Sequence, residues 1–163
     1  MPKRYQGQEA VVEALKYYKP DPALVTPQAL HLIQHEGFVP SVYKDTKGID
    51  TEGIGLTKEF IGKNFFSDVM PVFEQRARSV VGKQYDQLPI KKKKAILSAV
   101  YRGDLAASHN TAKLMRQGKW KEAATEYLNH DDYRASKQWN DKAGKIVHGV
   151  APRMEENATA FAE

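Results

Sequence analysis

Two carboxylates and a threonine lie close together in the chain: Glu36, Asp45 and Thr51. Glu36 precedes Gly37, where a helix should end; Asp45 heads the turn sequence Asp45-Thr46-Lys47-Gly48; Thr51 falls on the strand that returns from it. A helix end followed at once by a hairpin can bring all three side chains to one cleft. A carboxyl at a partly buried helix end can be kept protonated by desolvation, while a second carboxylate at an exposed turn stays ionised and orients a water. Glycoside hydrolysis needs that division of labour. Taken alone, the same three residues are also common on any protein surface.

The elements that must position them follow from periodicity and punctuation. Val11, Val12, Leu15 and Tyr18 recur at helical spacing, and Lys19-Pro20-Asp21-Pro22 breaks that helix and forms a linker. Thr26-Pro27 starts the next helix, with Thr26 as N-cap, Leu30 and Ile33 on its apolar stripe, Gly37 at its end and Pro40 at the exit. Val42-Tyr43-Lys44 and Ile49-Asp50-Thr51-Glu52 read as paired strands, and Gly53-Ile54-Gly55 as a sharp exit. Beyond this hairpin the pattern is helical: one helix around Val69 to Val80, one over Ile90 to Tyr101, and a short one at Leu114-Met115 ended near Gly118. Two more run over Trp120 to Leu128 and Pro152 to Phe161. The fold class is therefore α+β, mainly α, with a small β-hairpin lobe followed by a helical lobe. Residues 1–22 form an N-terminal helical extension and linker; residues 23–163 form the main domain, with 23–64 as the hairpin lobe and 65–163 as the helical lobe.

Composition narrows the function classes. At 163 residues with 41% hydrophobic and 28% charged positions, the chain can bury a core and is not a disordered tail. No apolar run is long enough for a transmembrane helix, and the basic N-terminal residues lack the apolar stretch of a secretory signal. Cysteine is absent, which removes disulfides, thiol nucleophiles and Cys-based zinc sites. Residues 1–57 carry 6 Lys+Arg and 7 Asp+Glu, net −1; residues 58–163 carry 19 and 13, net +6. The basic part fits a polyanionic partner, but charge alone favours simple solubility.

The spacing of His35-Glu36-Gly37, Tyr43-Lys44-Asp45-Thr46-Lys47-Gly48 and Thr51-Glu52-Gly53-Ile54-Gly55 closely resembles the active-site signature of the phage-type lysozymes, the family of the T-even phage lysozyme and of glycoside hydrolase family 24 endolysins. Segments from Ala95 to Gly103, Thr111 to Trp120, Glu122 to Ala124 and Gly149 to Phe161 resemble the family's helical lobe. The resemblance implies a two-lobe lysozyme-like fold and a muramidase that cleaves the β-1,4 bond between N-acetylmuramic acid and N-acetylglucosamine with inversion. It implies Glu36 as general acid, with Asp45 and Thr51 holding the attacking water. Arg153 resembles the arginine that pairs with the catalytic glutamate; since such a neighbour favours the ionised form, its role would be positioning. Gly55, Leu56, Tyr101 and Arg102 are implied as substrate-binding. The implied partner is bacterial peptidoglycan rather than nucleic acid. The family further implies a monomer without cofactor, held in the host cytoplasm until a holin releases it to the wall, or carried in the virion.

Departures from the family pattern are visible. Leu56 stands where the T-even member has a histidine, so one family ion pair is lost. Glu52 replaces an apolar residue and falls, by strand alternation, on the face of Asp50 opposite Thr51. Tyr101-Arg102 takes the place of an aromatic followed by an amide residue. Other features read blandly. His31 and His35 have zinc-compatible spacing but no third ligand, so no metal site is expected. Lys91 to Lys94 read as a solvated helix face, Arg102-Gly103-Asp104 as a chance match to an adhesion tripeptide, and Trp120 and Trp139 as packing at helix starts. The N-terminal helix is expected to pack on the helical lobe. Three competing readings remain. One is a non-catalytic envelope-binding or virion module; another is nucleic-acid binding, which lacks a recognition helix. The third is a lytic transglycosylase, which has no use for Asp45.

Overall fold

A computed structural model describes residues 2–163. By contacts the chain divides into two compact units, Met1–Phe73 and Glu74–Glu163, each with its own core.

The first unit begins with α1 (Gly7–Tyr18), which buries Ala10, Val11, Ala14 and Tyr18 along one stripe. The Lys19 amide closes it on the Leu15 carbonyl at 3.0 Å from a left-handed conformation, φ 47°. α2 (Pro27–Glu36) is capped as its sequence predicts: the Thr26 hydroxyl accepts from the Ala29 amide at 3.2 Å, and Gly37 ends the helix with φ 78°. α1 and α2 pack on one another inside this unit. Tyr5 and Phe38 add a two-way backbone bridge, 2.8 and 2.9 Å.

From Phe38 the chain enters an antiparallel sheet of order β1-β2-β3, formed by β1 (Val39–Lys44), β2 (Asp50–Gly53) and β3 (Leu56–Thr57). Tyr43 pairs with Thr51 and Lys44 with Asp50; Thr51 also pairs with Thr57, so β2 is the central strand. The two-residue β3 lies beyond the predicted hairpin. Beneath, Tyr18 meets Phe38, Phe65 and Phe66 at centroid separations of 5.8, 6.4 and 6.1 Å. Each such ring, once buried, contributes about 1.5–3 kcal/mol. Asn64 starts a π-helical turn (Phe65–Val69): its side-chain oxygen accepts from the Phe66 and Ser67 amides while its nitrogen donates to the Tyr18 carbonyl.

The division between units falls inside α3 (Met70–Val81). The second unit contains α4 (Ile90–Tyr101), α5 (Asn110–Arg116), α6 (Trp120–Tyr127), α7 (Asp131–Ala143) and α8 (Val150–Ala162). α8 packs against α4, α6 and α7, burying Ala151, Met154, Ala158 and Phe161. Two sequence readings are overturned here. Lys92 is not solvated: it is 7% exposed, donates to the Phe161 and Ala160 carbonyls at 2.9 and 3.3 Å, and lies 5.0 Å from the Trp120 ring. It satisfies the carbonyls at the end of α8, where a cation is favoured by the helix dipole. Trp139 is neither at a helix start nor packed away: it lies well inside α7 and is 54% exposed.

Candidate active site

Glu36 is the last residue of α2 and is half-buried. Because Gly37 turns the chain sharply, the carboxyl is delivered beside the entrance to β1. A side chain at position 37 would meet the Tyr5 carbonyl at 3.0 Å, so the N-terminal segment helps to fix this exit.

Asp45 opens the turn joining β1 to β2. The Gly48 amide donates to its carbonyl at 3.0 Å, and the Lys47 and Ile49 amides donate to Oδ1 at 2.8 and 2.9 Å. The predicted turn thus forms, and the Asp45 side chain is held by the loop it heads. Two backbone donors engage Oδ1; Oδ2 takes neither of these turn bonds.

Thr51 is 4% exposed and donates from Oγ1 to the Ile49 carbonyl at 3.0 Å. That carbonyl also accepts from the Asp45 amide at 2.9 Å, while the Ile49 amide is bonded to Asp45 Oδ1. One peptide residue therefore ties Asp45 and Thr51 into a single network. With its proton committed to Ile49, the Thr51 oxygen keeps acceptor capacity for another donor, such as a water.

Glu52 follows a path that strand alternation alone does not give. Asp50, on the same face, is exposed and ion-paired with Lys44, but Glu52 is only 8% exposed and accepts from the Gly62 amide at 2.7 Å. The loop after β3 covers the inner end of this face, and Glu52 satisfies that loop's backbone.

Gly55 is exposed, with φ 73° and open space where a side chain would project. Leu56, in contrast, is 2% exposed, so its side chain is core and only its backbone can meet a ligand. In the second unit, Tyr101 ends α4 and Arg102 follows it, both half-buried. Arg102 Nε lies 3.9 Å from Asp104 Oδ2, so the adhesion-like tripeptide is folded on itself. Arg153 sits in the first turn of α8 and donates from Nε to the Gly149 carbonyl at 3.3 Å.

His31 and His35 stack with ring centroids 4.0 Å apart, and His35 Nδ1 is 2.9 Å from the His31 carbonyl. Among the described residues, no group of three or more His, Asp or Glu side chains is placed to hold a metal. Sequence reasoning missed two positioning residues. Arg4 donates to the Tyr43 hydroxyl at 2.9 Å and lies 5.6 Å from its ring, and Tyr18 lies against Gly53. Only the basic-aromatic start of the chain hinted at the first.

No protein-family model matches the chain, and no curated protein matches it. Among solved structures, the chain is similar to the active form of the phage P1 endolysin Lyz, with a TM-score of 0.54 and 16% identity over 98% of this chain and 95% of that one. That likeness concerns the fold, which is a lysozyme-like α+β arrangement, mainly helical with one small antiparallel sheet.

Proposed function

We propose that the chain is a peptidoglycan hydrolase, a muramidase that cleaves the β-1,4 bond between N-acetylmuramic acid and N-acetylglucosamine. The observation that carries this reading is the Ile49 peptide, which couples Asp45 to Thr51 on the hairpin fed directly by the Glu36 helix end. The motif resemblance and the lysozyme-like fold support it further.

In this mechanism Glu36 gives its proton to the glycosidic oxygen as the bond from the anomeric carbon to that oxygen breaks. A water held between the Thr51 hydroxyl oxygen and the Asp45 carboxylate attacks the opposite face of the sugar. Asp45 takes the water's proton, and the product has inverted configuration. The enzyme reaches its substrate after release through a holin lesion, or acts from the virion during entry. The basic second unit favours the anionic envelope.

The test incubates purified protein with peptidoglycan beside Glu36→Gln. The parent should release soluble fragments with new reducing ends, and the variant should be about 10²–10⁴-fold slower. Anhydro-sugar products would replace the water mechanism with a transglycosylase one. Absence of any release would leave a wall-binding module.

A further inference from the structure

The sheet register sets Tyr43 directly opposite Thr51, so both side chains leave the same face of the β1-β2 pair. Arg4 lies over Tyr43. Its Nη2 donates to the Tyr43 hydroxyl at 2.9 Å, and its guanidinium carbon is 5.6 Å from the ring centroid. Its Nη1 stands at the exit of α2, 3.6 Å from where a side chain on Gly37 would begin. One guanidinium therefore reaches from the residue after Glu36 to the strand partner of Thr51. The backbone that carries it is fixed as well, because Tyr5 and Phe38 exchange two hydrogen bonds.

The charge of this group is not spent inside the protein. Arg4 is exposed and, among the described residues, its side chain pairs with no carboxylate. Its neighbours are engaged: Lys3 pairs with Glu9, and Lys44, next to Tyr43, pairs with Asp50. A guanidinium presents several N–H donors in one plane, and Tyr43 takes one of them. The Tyr43 oxygen accepts that bond, which leaves its own proton to donate outward. A cation held in place with donors to spare suits a planar oxyanion, which its fork grips through two parallel N–H groups. A sugar hydroxyl would make little use of the charge. One cation balances a carboxylate monoanion better than a phosphate dianion. In a muramoyl glycan the carboxylates belong to the peptide stem, which hangs from the lactyl ether of the N-acetylmuramic acid.

We propose that Arg4, aligned by Tyr43, binds a carboxylate of the peptide stem on the muramoyl unit and so selects stem-bearing glycan. The proposal rests on the muramidase reading for the identity of this ligand. Arg4 acts on affinity and on choice of substrate, and has no part in breaking the glycosidic bond.

The experiment measures binding by calorimetry on the full chain carrying Glu36→Gln, so that turnover plays no part. The ligands are a soluble N-acetylglucosaminyl-N-acetylmuramoyl tetrapeptide, the same compound with its carboxylates converted to amides, and a chitin tetramer, which has no stem. The free-carboxylate ligand should bind about fivefold more tightly than the amidated one, and the preference should shrink as salt is raised. Adding Arg4→Gln should bring the two affinities together. Arg4→Lys should restore part of the preference, because an ammonium lacks the planar fork, and Tyr43→Phe should lower it about twofold by freeing the guanidinium. An Arg4 that only fastens the hairpin would weaken all three ligands in proportion and keep the preference, which overturns the proposal. Equal affinity for free and amidated stems, or no binding of either, overturns it too. Peptidoglycan hydrolysis by the unsubstituted chain is followed separately. Cleavage without an Arg4-dependent preference ends this proposal alone; the preference without cleavage ends the hydrolase reading and leaves Arg4 as the stem contact of a wall-binding module.

Discussion

Residues 1–73 and 74–163 spend their polar side chains differently. In the sheet region of the first unit the bonds are local: Asp45 with Lys47 and Ile49, Thr51 with Ile49, and Glu52 with Gly62 ten residues on. The long-range side-chain ties of that unit reach back to residues 4–18, through Arg4 to Tyr43, Gln34 to Gln8 and Asn64 to Tyr18. In the second unit polar groups close the helix bundle across long separations. Lys92 reaches Phe161, Arg116 reaches the Val80 carbonyl, and Gln84 reaches the Met115 carbonyl. Charge follows the same division: 8 Lys+Arg against 9 Asp+Glu in residues 1–73, net −1, and 17 against 11 in residues 74–163, net +6. A self-contained hairpin can carry a site that short spacing reveals. A bundle closed by distant ties cannot be read that way, and part of its positive charge is structural rather than offered to a partner.

The contrast breaks most visibly at Gly53 and Gly118. Both have positive φ, 64° and 73°. A Cβ on Gly53 would lie 2.2 Å from the Tyr18 hydroxyl, whereas one on Gly118 would meet nothing within 4 Å. Gly53→Ala should therefore cost about 4 kcal/mol, backbone strain and overpacking together, against about 1 kcal/mol for Gly118→Ala. Urea unfolding at neutral pH measures both. If the clash is the cause, Tyr18→Phe should restore much of the loss in the Gly53→Ala background and little in the Gly118→Ala background.

Lys92 sharpens the other side of the comparison. Lys92→Ala should lose about 2 kcal/mol, because the Phe161 and Ala160 carbonyls lose their donor and Trp120 loses a cation. Lys91→Ala, which breaks an exposed pair with Glu163, should change little. Thermal unfolding of the two variants side by side separates a structural lysine from a solvated one. Equal melting points would return Lys92 to the solvated face.

These residues also show what was legible. Thr26-Pro27, Gly37 and Asp45-Thr46-Lys47-Gly48 specify their caps and turn by local chemistry, so helix end and hairpin were readable together with the three candidate site residues. α7 was not. It buries only Ser136, so it has no apolar stripe to betray it, and it is stabilised instead by the bonds of Ser136 and Asn140 to the loop 144–149. Lys92 stood in a run of four lysines, and nothing local distinguishes the one that meets a helix end 69 residues away. Strand alternation puts Glu52 with Asp50, but its burial depends on the loop that carries Gly62.

Alkali should act on both units through buried tyrosines. Removal from water, with the nearby charge of Glu52 and the Tyr17 hydroxyl adding to it, pushes the Tyr18 hydroxyl well above its ordinary pKa of about 10. Burial does the same to Tyr85, beside Glu74, and to Tyr127 in the second unit. A group whose folded pKa is raised contributes stability in full below its unfolded pKa and loses it as pH rises beyond. Each tyrosine should therefore cost about 1.4 kcal/mol by pH 11. Among the described residues the Tyr18 hydroxyl has no hydrogen-bond partner, so Tyr18→Phe should be nearly neutral at pH 7 and should remove its share of the alkaline loss. Denaturant titrations at pH 8, 10 and 11 check this. Parallel curves for the parent and the variant would contradict it.

The smallest expected effect concerns the N-terminal strap. Arg4 donates to the Tyr43 hydroxyl and lies against its ring, and Tyr43 is the strand partner of Thr51. The contact is exposed, so Arg4→Ala should cost only about 0.5–1 kcal/mol. Lys3 supplies the control: its pair with Glu9, at 3.9 Å and well exposed, should contribute nothing measurable. If the strap steadies the hairpin, amide exchange at Tyr43 and Thr51 should speed up in Arg4→Ala by about three- to fivefold, with exchange in α4 and α8 unchanged. The Lys3→Ala protein should match the parent at all four places. Uniform acceleration in both units would mean that Arg4 contributes to global stability and has no particular hold on β1, and the N-terminal segment would then be a passive cover instead of part of the scaffold that aims Asp45 and Thr51.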